Sequence, residues 1–93
     1  MALTFEWDEV KAAANVRKHR VSFDEAKTVF GDPLSLTNAD PDHSTDEERF
    51  VDIGMSTQGR VLGVVYTERE QTIRLVSCRL ATRRERRIYE QNE

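Results

Sequence analysis

The sequence predicts an α+β fold. An antiparallel sheet, made of a short N-terminal strand and a three- or four-stranded meander, carries two N-terminal helices and one C-terminal helix. Three observations predict it. Two side-chain cap signals open helical patterns near the N-terminus. Three β-rich runs follow one another from residue 49 to 79, separated only by short turns. A last cap signal, Thr82-x-x-Glu85, opens a helix close to the C-terminus. Helices and strands segregated in this way pack as helices on one sheet. The 93 residues suffice for one domain with a modest core, so residues 1–93 are read as a single domain.

Each element has a local cause. Residues 2–7, ALTFEW, alternate, with Leu3, Phe5 and Trp7 as β-formers. Asp8 offers an N-cap oxygen to EVKAAANVRKH, a helix whose inward stripe is read as Val10, Ala13, Ala14 and the stem of Arg17, ending at Arg20. Ser22 and Glu25 have capping-box spacing, and Val21 with Ala26 forms a hydrophobic staple. Phe23, Ala26, Lys27 and Phe30 continue that helix until Gly31-Asp32-Pro33 stops it. Leu34–Thr37 alternates as a short strand, and residues 38–48 form an acidic loop in which Thr45 and Glu48 can cap a single turn. Residues 49–56, 60–69 and 73–79 are the meander, with the middle run apolar on both faces as a central strand should be. The final helix covers about 83–91, with Ile88 and Tyr89 docking it on the sheet.

Charge is divided unevenly. The chain is net -3, yet residues 1–71 carry 8 Lys+Arg against 14 Asp+Glu, and residues 72–93 carry 6 Arg against 3 Glu. A basic end on an acidic chain is a local patch, which is what phosphate binding needs. No run of 18 apolar residues predicts a membrane span. The acidic start MALTFEWDEV is unlike a signal peptide, and the lone Cys78 forms no internal disulfide, so a cytoplasmic protein is expected. One cysteine and two distant histidines do not make a zinc site, and no metal or cofactor is expected. His43, among Asp40, Asp42 and Asp46, is read as part of a solvated loop rather than a metal site.

The chemistry-bearing residues cluster toward that basic end. Arg79 closes a strand read as sharing a face with Ile73, Leu75 and Ser77, and Arg83 with Arg86 or Arg87 follows at helical spacing. Strand end and helix start can converge on a phosphate through arginine forks and backbone N–H groups. The competing reading is a solvated helix whose arginines pair with Glu85, Glu90 and the acidic half. Glu85 is a general acid or base, or simply the capping box. Lys18-His19 ends the first helix, either as phosphate holder and proton carrier or as cations at a helix C-terminus. Trp7 stacks a base or staples the first helix to the sheet. Tyr66 and Glu68 share one face of the central strand and line a groove with Arg79, or Glu68 pairs with Arg79 or Arg74.

These segments resemble a known family. FEWDEVKAAANVRKHRVSFDEAKTVFGDP is similar to the opening of BrnT-type toxins, in which W-D, N-x-x-K-H and V-S-F-x-E-A recur in that order. VVYTERE and IRLVSCRLATRRERRIYE resemble the closing half, with its strand arginine, A-T, E-R and terminal tyrosine. Two departures stand out, Arg20 where glycine follows K-H and Cys78 where alanine is usual. The resemblance implies a RelE-like ribonuclease fold and a type II toxin that cleaves RNA without a metal. It also implies a ribbon-helix-helix, BrnA-like antitoxin that covers the toxin and carries it to operator DNA, which the toxin itself does not touch. In such cleavage the 2′-OH attacks the adjacent phosphorus. Arg79 is then the phosphate residue, His19 or Glu68 the base or acid, Lys18 and Tyr66 assist, and Trp7, Arg83 and Arg86 bind RNA. The alternative is a catalytically idle binding module that docks an antitoxin and modulates its operator binding. A direct DNA-binding reading is discounted because the second helix, SFDEAKTVF, starts acidic.

Overall fold

In the computed structural model, which describes residues 3–40 and 47–92, five strands form one sheet in the order β1-β5-β4-β3-β2. The strands are β1 (Thr4–Glu6), β2 (Leu36–Ala39), β3 (Arg49–Met55), β4 (Val61–Arg69) and β5 (Thr72–Leu80). The helices are α1 (Glu9–His19), α2 (Phe23–Lys27), continued by a 3₁₀ turn over Thr28–Gly31, and α3 (Arg83–Gln91). β2 through β5 pair antiparallel, as expected of a meander, with β4 at the centre. The sheet is nevertheless mixed. β1 pairs parallel with β5, Phe5 opposite Ile73, because the chain crosses back over α1 and α2 before the meander begins. The second strand also starts at Leu36 rather than Leu34, since Asp32 and Pro33 hold a turn in which the Asp32 carboxylate accepts from the Leu34 amide at 2.9 Å. Of the acidic loop, His43, Asp42, Asp46 and the Thr45 cap lie outside the described residues.

The two faces of the sheet are covered differently. α1, α2 and the 3₁₀ turn cover one face, where Val21, Phe23, Ala26 and Val29 meet Leu62, Val64, Tyr66, Ile73, Leu75 and Cys78. The staple pair Val21 and Ala26 is fully buried there. On the other face Tyr89 of α3 packs with Ile53, Val61 and Ala81. Its hydroxyl donates to Asp32 at 2.6 Å, while Ile88, expected to dock too, stays 47% exposed.

Three local readings are corrected by packing. The inward stripe of α1 is not Val10, Ala13, Ala14 and Arg17, which are exposed, Val10 at 78%. The buried residue of α1 is Asn15. β1 covers β5 only from Thr72 to Arg74, and among the described residues no strand lies beside the edge of β5 beyond that. The Asn15 amide takes the place of a strand: its nitrogen donates to the carbonyls of Cys78 and Val21, both at 2.9 Å, and its oxygen accepts from the Cys78 amide at 3.1 Å. Second, Ser22 caps α2 by accepting from the Glu25 amide at 3.0 Å, but Glu25 does not complete the box. It is buried and turned toward Arg60 and the Ser56 hydroxyl, which ties α2 to the β3–β4 hairpin. The Arg60 guanidinium holds the Glu25 carboxyl below the usual carboxylate range. Third, the alternation of β5 breaks. Val65 faces Ser77 but Tyr66 faces Leu75, so Val76 is an extra residue in a β-bulge. Ile73 and Leu75 therefore join the helix-covered core, and Ser77 and Arg79 turn to the opposite face.

Two stability tests follow from these contacts. Arg20 ends α1 at φ 60° and ψ 31°, in the left-handed region that favours glycine. Arg20→Gly is expected to stabilise the fold by about 0.5–1 kcal/mol, since relieving the Cβ strain outweighs the added freedom of the unfolded chain. Urea titration showing no gain would reject this. Asp52 is buried beneath the Thr37 and Tyr66 hydroxyls, which donate to it at 2.7 and 3.0 Å, and burial raises its carboxyl above the ordinary 3.8. A raised carboxyl stabilises the fold fully below that ordinary value and loses its contribution as pH rises through the folded one. Asp52→Asn should therefore gain stability relative to the parent as pH climbs from about 3.8 toward neutrality. The lowered carboxyls of Glu25, Asp32 and Glu85 act with the opposite sign in both proteins and cancel in the difference. A pH-independent difference would contradict the assignment.

Candidate active site

The bulge and the Asn15 clamp together build a cleft. Cys78 is held to α1, so the next residue, Arg79, is presented on the far side of β5. His19 lies one helical turn beyond Asn15 on the same face of α1. His19, Asp40, Arg49, Val51, Val65, Val76, Ser77 and Arg79 line one cleft at the C-terminal end of α1. Register explains the strand residues: Val51 faces Val65, which faces Ser77, all on the surface away from the α1–α2 core. Asp40 enters because its amide donates to the Arg49 carbonyl at 2.8 Å, just past the end of β2.

Arg79 is held at both terminal nitrogens. Its guanidinium forks onto Glu85, with Nη1 to Oε1 at 2.7 Å and Nη2 to Oε2 at 3.1 Å. Glu85 is itself fixed by the predicted capping box, its Oε1 accepting from the Thr82 amide at 2.9 Å while Thr82 Oγ1 accepts from the Glu85 amide. So the cap and the ion pair are one device: helix α3 holds the carboxylate that aims the arginine. Arg79 keeps Glu85 ionised, lowering its carboxyl from the ordinary value, and Glu85 in turn raises Arg79 further. Beneath the guanidinium lies Gly63, the register partner of Arg79, where a Cβ would stand 2.7 Å from Nη1 and 3.1 Å from Cζ. Gly63→Ala is expected to push the fork aside. Activity should drop about 10–100-fold, because misplacement by about 1 Å costs that much, with thermal unfolding little changed because only a flexible side chain must move. Full activity in the folded variant would show that the position of the fork is immaterial.

The other predicted residues do not gather here. Tyr66 sits on the opposite face, 6% exposed, packed edge-on to Phe30 with ring centroids 5.0 Å apart, and its hydroxyl donates to Asp52. Burial raises its phenol well above the ordinary 10. Glu68 is exposed on the Tyr66 side, where its charge acts on Asp52, and it pairs with neither Arg79 nor Arg74; Arg74 meets Glu6 at 3.6 Å. The groove expected from Tyr66, Glu68 and Arg79 is therefore not formed, since the bulge sends Arg79 to the other face. Trp7 caps a separate cleft between α1 and α2, stacking edge-on to Phe23 at 5.8 Å and donating to Glu9 at 3.1 Å, which is the stapling arrangement. Lys18 is exposed beside His19, Arg83 is exposed at the start of α3, and Arg86 lines a different cleft with Arg60 and Leu80. Cys78 is buried, its thiol pushed up to about 12, so it is a packing residue.

The sequence did not single out Arg49; Asp40 entered only beside His43 in the acidic loop, and Asn15 only as the first residue of N-x-x-K-H. Arg49 opens an alternating strand, which marks its face but not its neighbour. Asn15 in the middle of a helix is the one signal that reading could have used, because such a residue competes with the backbone unless it has another partner. Among the described residues no group of three or more His, Cys, Asp or Glu is placed to hold a metal ion, and no helix is long and apolar enough to cross a membrane.

Comparison with known proteins bears on this geometry. A sequence model of the family described as the ribonuclease toxin BrnT of type II toxin–antitoxin systems matches residues 7–85. The 1.1 Å crystal structure of the Brucella abortus ribonuclease toxin BrnT aligns with a TM-score of 0.64, covering 88% of this chain and 100% of that chain at 19% identity. At that identity the likeness speaks to the fold. No curated protein sequence matches the chain.

Proposed function

The chain belongs to the BrnT family of ribonuclease toxins of type II toxin–antitoxin systems, and on that premise we propose that it is an endoribonuclease whose reaction centre is the His19–Arg79 cleft. The carrying observation is the convergence of an imidazole and a fixed guanidinium in one cleft, from elements 60 residues apart in sequence. The 2′-OH of the RNA attacks the adjacent phosphorus. The developing charge on the phosphoryl oxygens is met by Arg79, with Arg49 as a second cation across the cleft. His19 moves one proton, either from the 2′-OH or to the leaving 5′-oxygen, while solvent water in the open cleft takes or supplies the other, and such positioned transfer contributes about 10²–10⁴-fold. Lys18, exposed beside it, and Arg83, at the start of α3, draw the flanking phosphates. These groups meet the needs of the reaction themselves, so we propose that it proceeds without a metal.

Residues 1–93 form one toxin domain in this reading, with a RelE-like arrangement of helices on a sheet. It works in the cytoplasm and is neutralised by a ribbon-helix-helix, BrnA-like antitoxin, through which alone it reaches operator DNA. Growth is arrested when the antitoxin is removed. The test is cleavage of RNA by the purified chain in EDTA, with and without ribosomes, and with and without the antitoxin. Cleavage that the antitoxin suppresses supports the reading; no cleavage in any of these conditions rejects it.

A second reading rests on the Glu85 fork. Both terminal nitrogens of Arg79 already hold a carboxylate, as they would in an idle module that docks an antitoxin and modulates its operator binding. That reading predicts intact antitoxin binding and no RNA cleavage by any preparation.

A further inference from the structure

The reaction cleft has a neighbour that the mechanism leaves unused. Leu36, Asn38, Val51 and Ile53 form the floor of a groove, walled by Ile88 and closed by Glu85. Register places the floor on one face, with Leu36 opposite Ile53 and Asn38 opposite Val51. Ile88 stands 47% exposed over it, so the wall is apolar and open. The groove is continuous with the reaction cleft in two ways. Val51 lines both. Glu85, at the end of the groove, is the carboxylate that grips Arg79 at 2.7 Å.

From this juxtaposition we infer that the groove is a nucleobase subsite, holding the base next to the phosphate bound at Arg79, and that it selects bases carrying an exocyclic amino group. The inference rests on the ribonuclease reading. A flipped base is held between apolar side chains and read by hydrogen bonds at its edge. The aliphatic floor and Ile88 supply the first requirement. Asn38 and Glu85 supply the second, because an amide offers both a donor and an acceptor and an ionised carboxylate only accepts. Adenine, cytosine and guanine present an amino group to Glu85; uracil presents none. Exposed Arg84 and Arg87 flank Ile88 on α3, favouring a polyanion alongside the groove. An acidic protein segment would set its carboxylates against Glu85.

The experiment is a titration of the ¹⁵N-labelled chain with AMP, CMP, GMP, UMP and ribose 5-phosphate, followed by amide shifts. The first three are expected to move Asn38, Val51 and Ile88 together with the Arg79 region, and ribose 5-phosphate to move the Arg79 region alone. UMP should bind about 5–10-fold more weakly than the amino-bearing nucleotides, as one lost base contact implies. Asn38→Ala should weaken all four nucleotides alike and leave that difference in place, since Glu85 sets it, and Ile88→Ala should bring all four nucleotides to the level of ribose 5-phosphate; both residues are exposed, so folding is spared. Equal binding of ribose 5-phosphate and nucleotides overturns the inference, as does a groove silent to every nucleotide but shifted by the antitoxin. If the nucleotides shift the groove while RNA is never cleaved, the subsite stands and the ribonuclease reading falls.

Discussion

Arg79→Ala is expected to lower RNA cleavage by about 10²–10³-fold, the loss that follows removal of one preorganised donor to a developing oxyanion. The fold should survive. The Arg79–Glu85 pair is partly open to solvent, with side chains 35% and 26% exposed, and pairs of that kind contribute about 1 kcal/mol or less. Glu85 also keeps its second partner, the Thr82 amide, so the α3 cap persists. Arg79→Lys sharpens the test. Lysine keeps the charge but loses the planar fork, and it cannot grip both oxygens of Glu85. It should recover only a small part of the activity. Cleavage rates beside circular dichroism and thermal unfolding decide the matter. An active, folded Arg79→Ala protein would move the reaction centre elsewhere. A variant that is inactive because it is unfolded is recognised at once, and Gly63→Ala then carries the question without touching the arginine.

Asn15→Ala is expected to cost about 3–5 kcal/mol, among the largest single effects available in this chain. Its amide serves the Cys78 N–H, the Cys78 carbonyl and the Val21 carbonyl in a site where Asn15 is 6% exposed. Each buried backbone group left unpaired costs about 1–3 kcal/mol. Among the described residues no neighbouring strand is there to replace it, because β1 ends opposite Arg74. Urea unfolding measures the loss. An exposed substitution on the same helix, Val10→Ala, is the control and should be within about 0.5 kcal/mol of the parent. A cost below about 1 kcal/mol for Asn15→Ala would mean that β5 closes its edge in another way. Activity gives a second readout in whatever fraction of the variant is folded. The clamp sits one turn from His19 and one residue from Arg79, so the two groups should lose their mutual position and kcat should fall more than KM rises.

The same residues separate what the sequence determines from what the tertiary structure decides. Local signals carried the secondary structure well. Asp8 caps α1 with hydrogen bonds to the Val10 and Lys11 amides, Thr82 and Glu85 form their reciprocal box, and α1 spans the EVKAAANVRKH segment. Caps and turns act within four residues, so the sequence displays them whole. Residue type also marked His19 and Arg79 as candidates, and the structure brings those two into one cleft.

Properties that join distant segments stayed hidden. The parallel pairing of β1 depends on where the chain returns after two helices. The bulge at Val76 reverses which face Arg79 occupies, and strict alternation was the only rule the strand offered for reading that face. A one-residue slip flips every later side chain, which is why Tyr66 and Glu68 seemed to belong with Arg79 and do not. Asn15 takes its role from Cys78, 63 residues away, whose backbone it clamps. Arg49 and Gly63 gained meaning only from the strands beside them. A hydrogen bond or close contact between remote segments has no period and no spacing, so chain order does not display it. It exists only once the fold has brought both sides together.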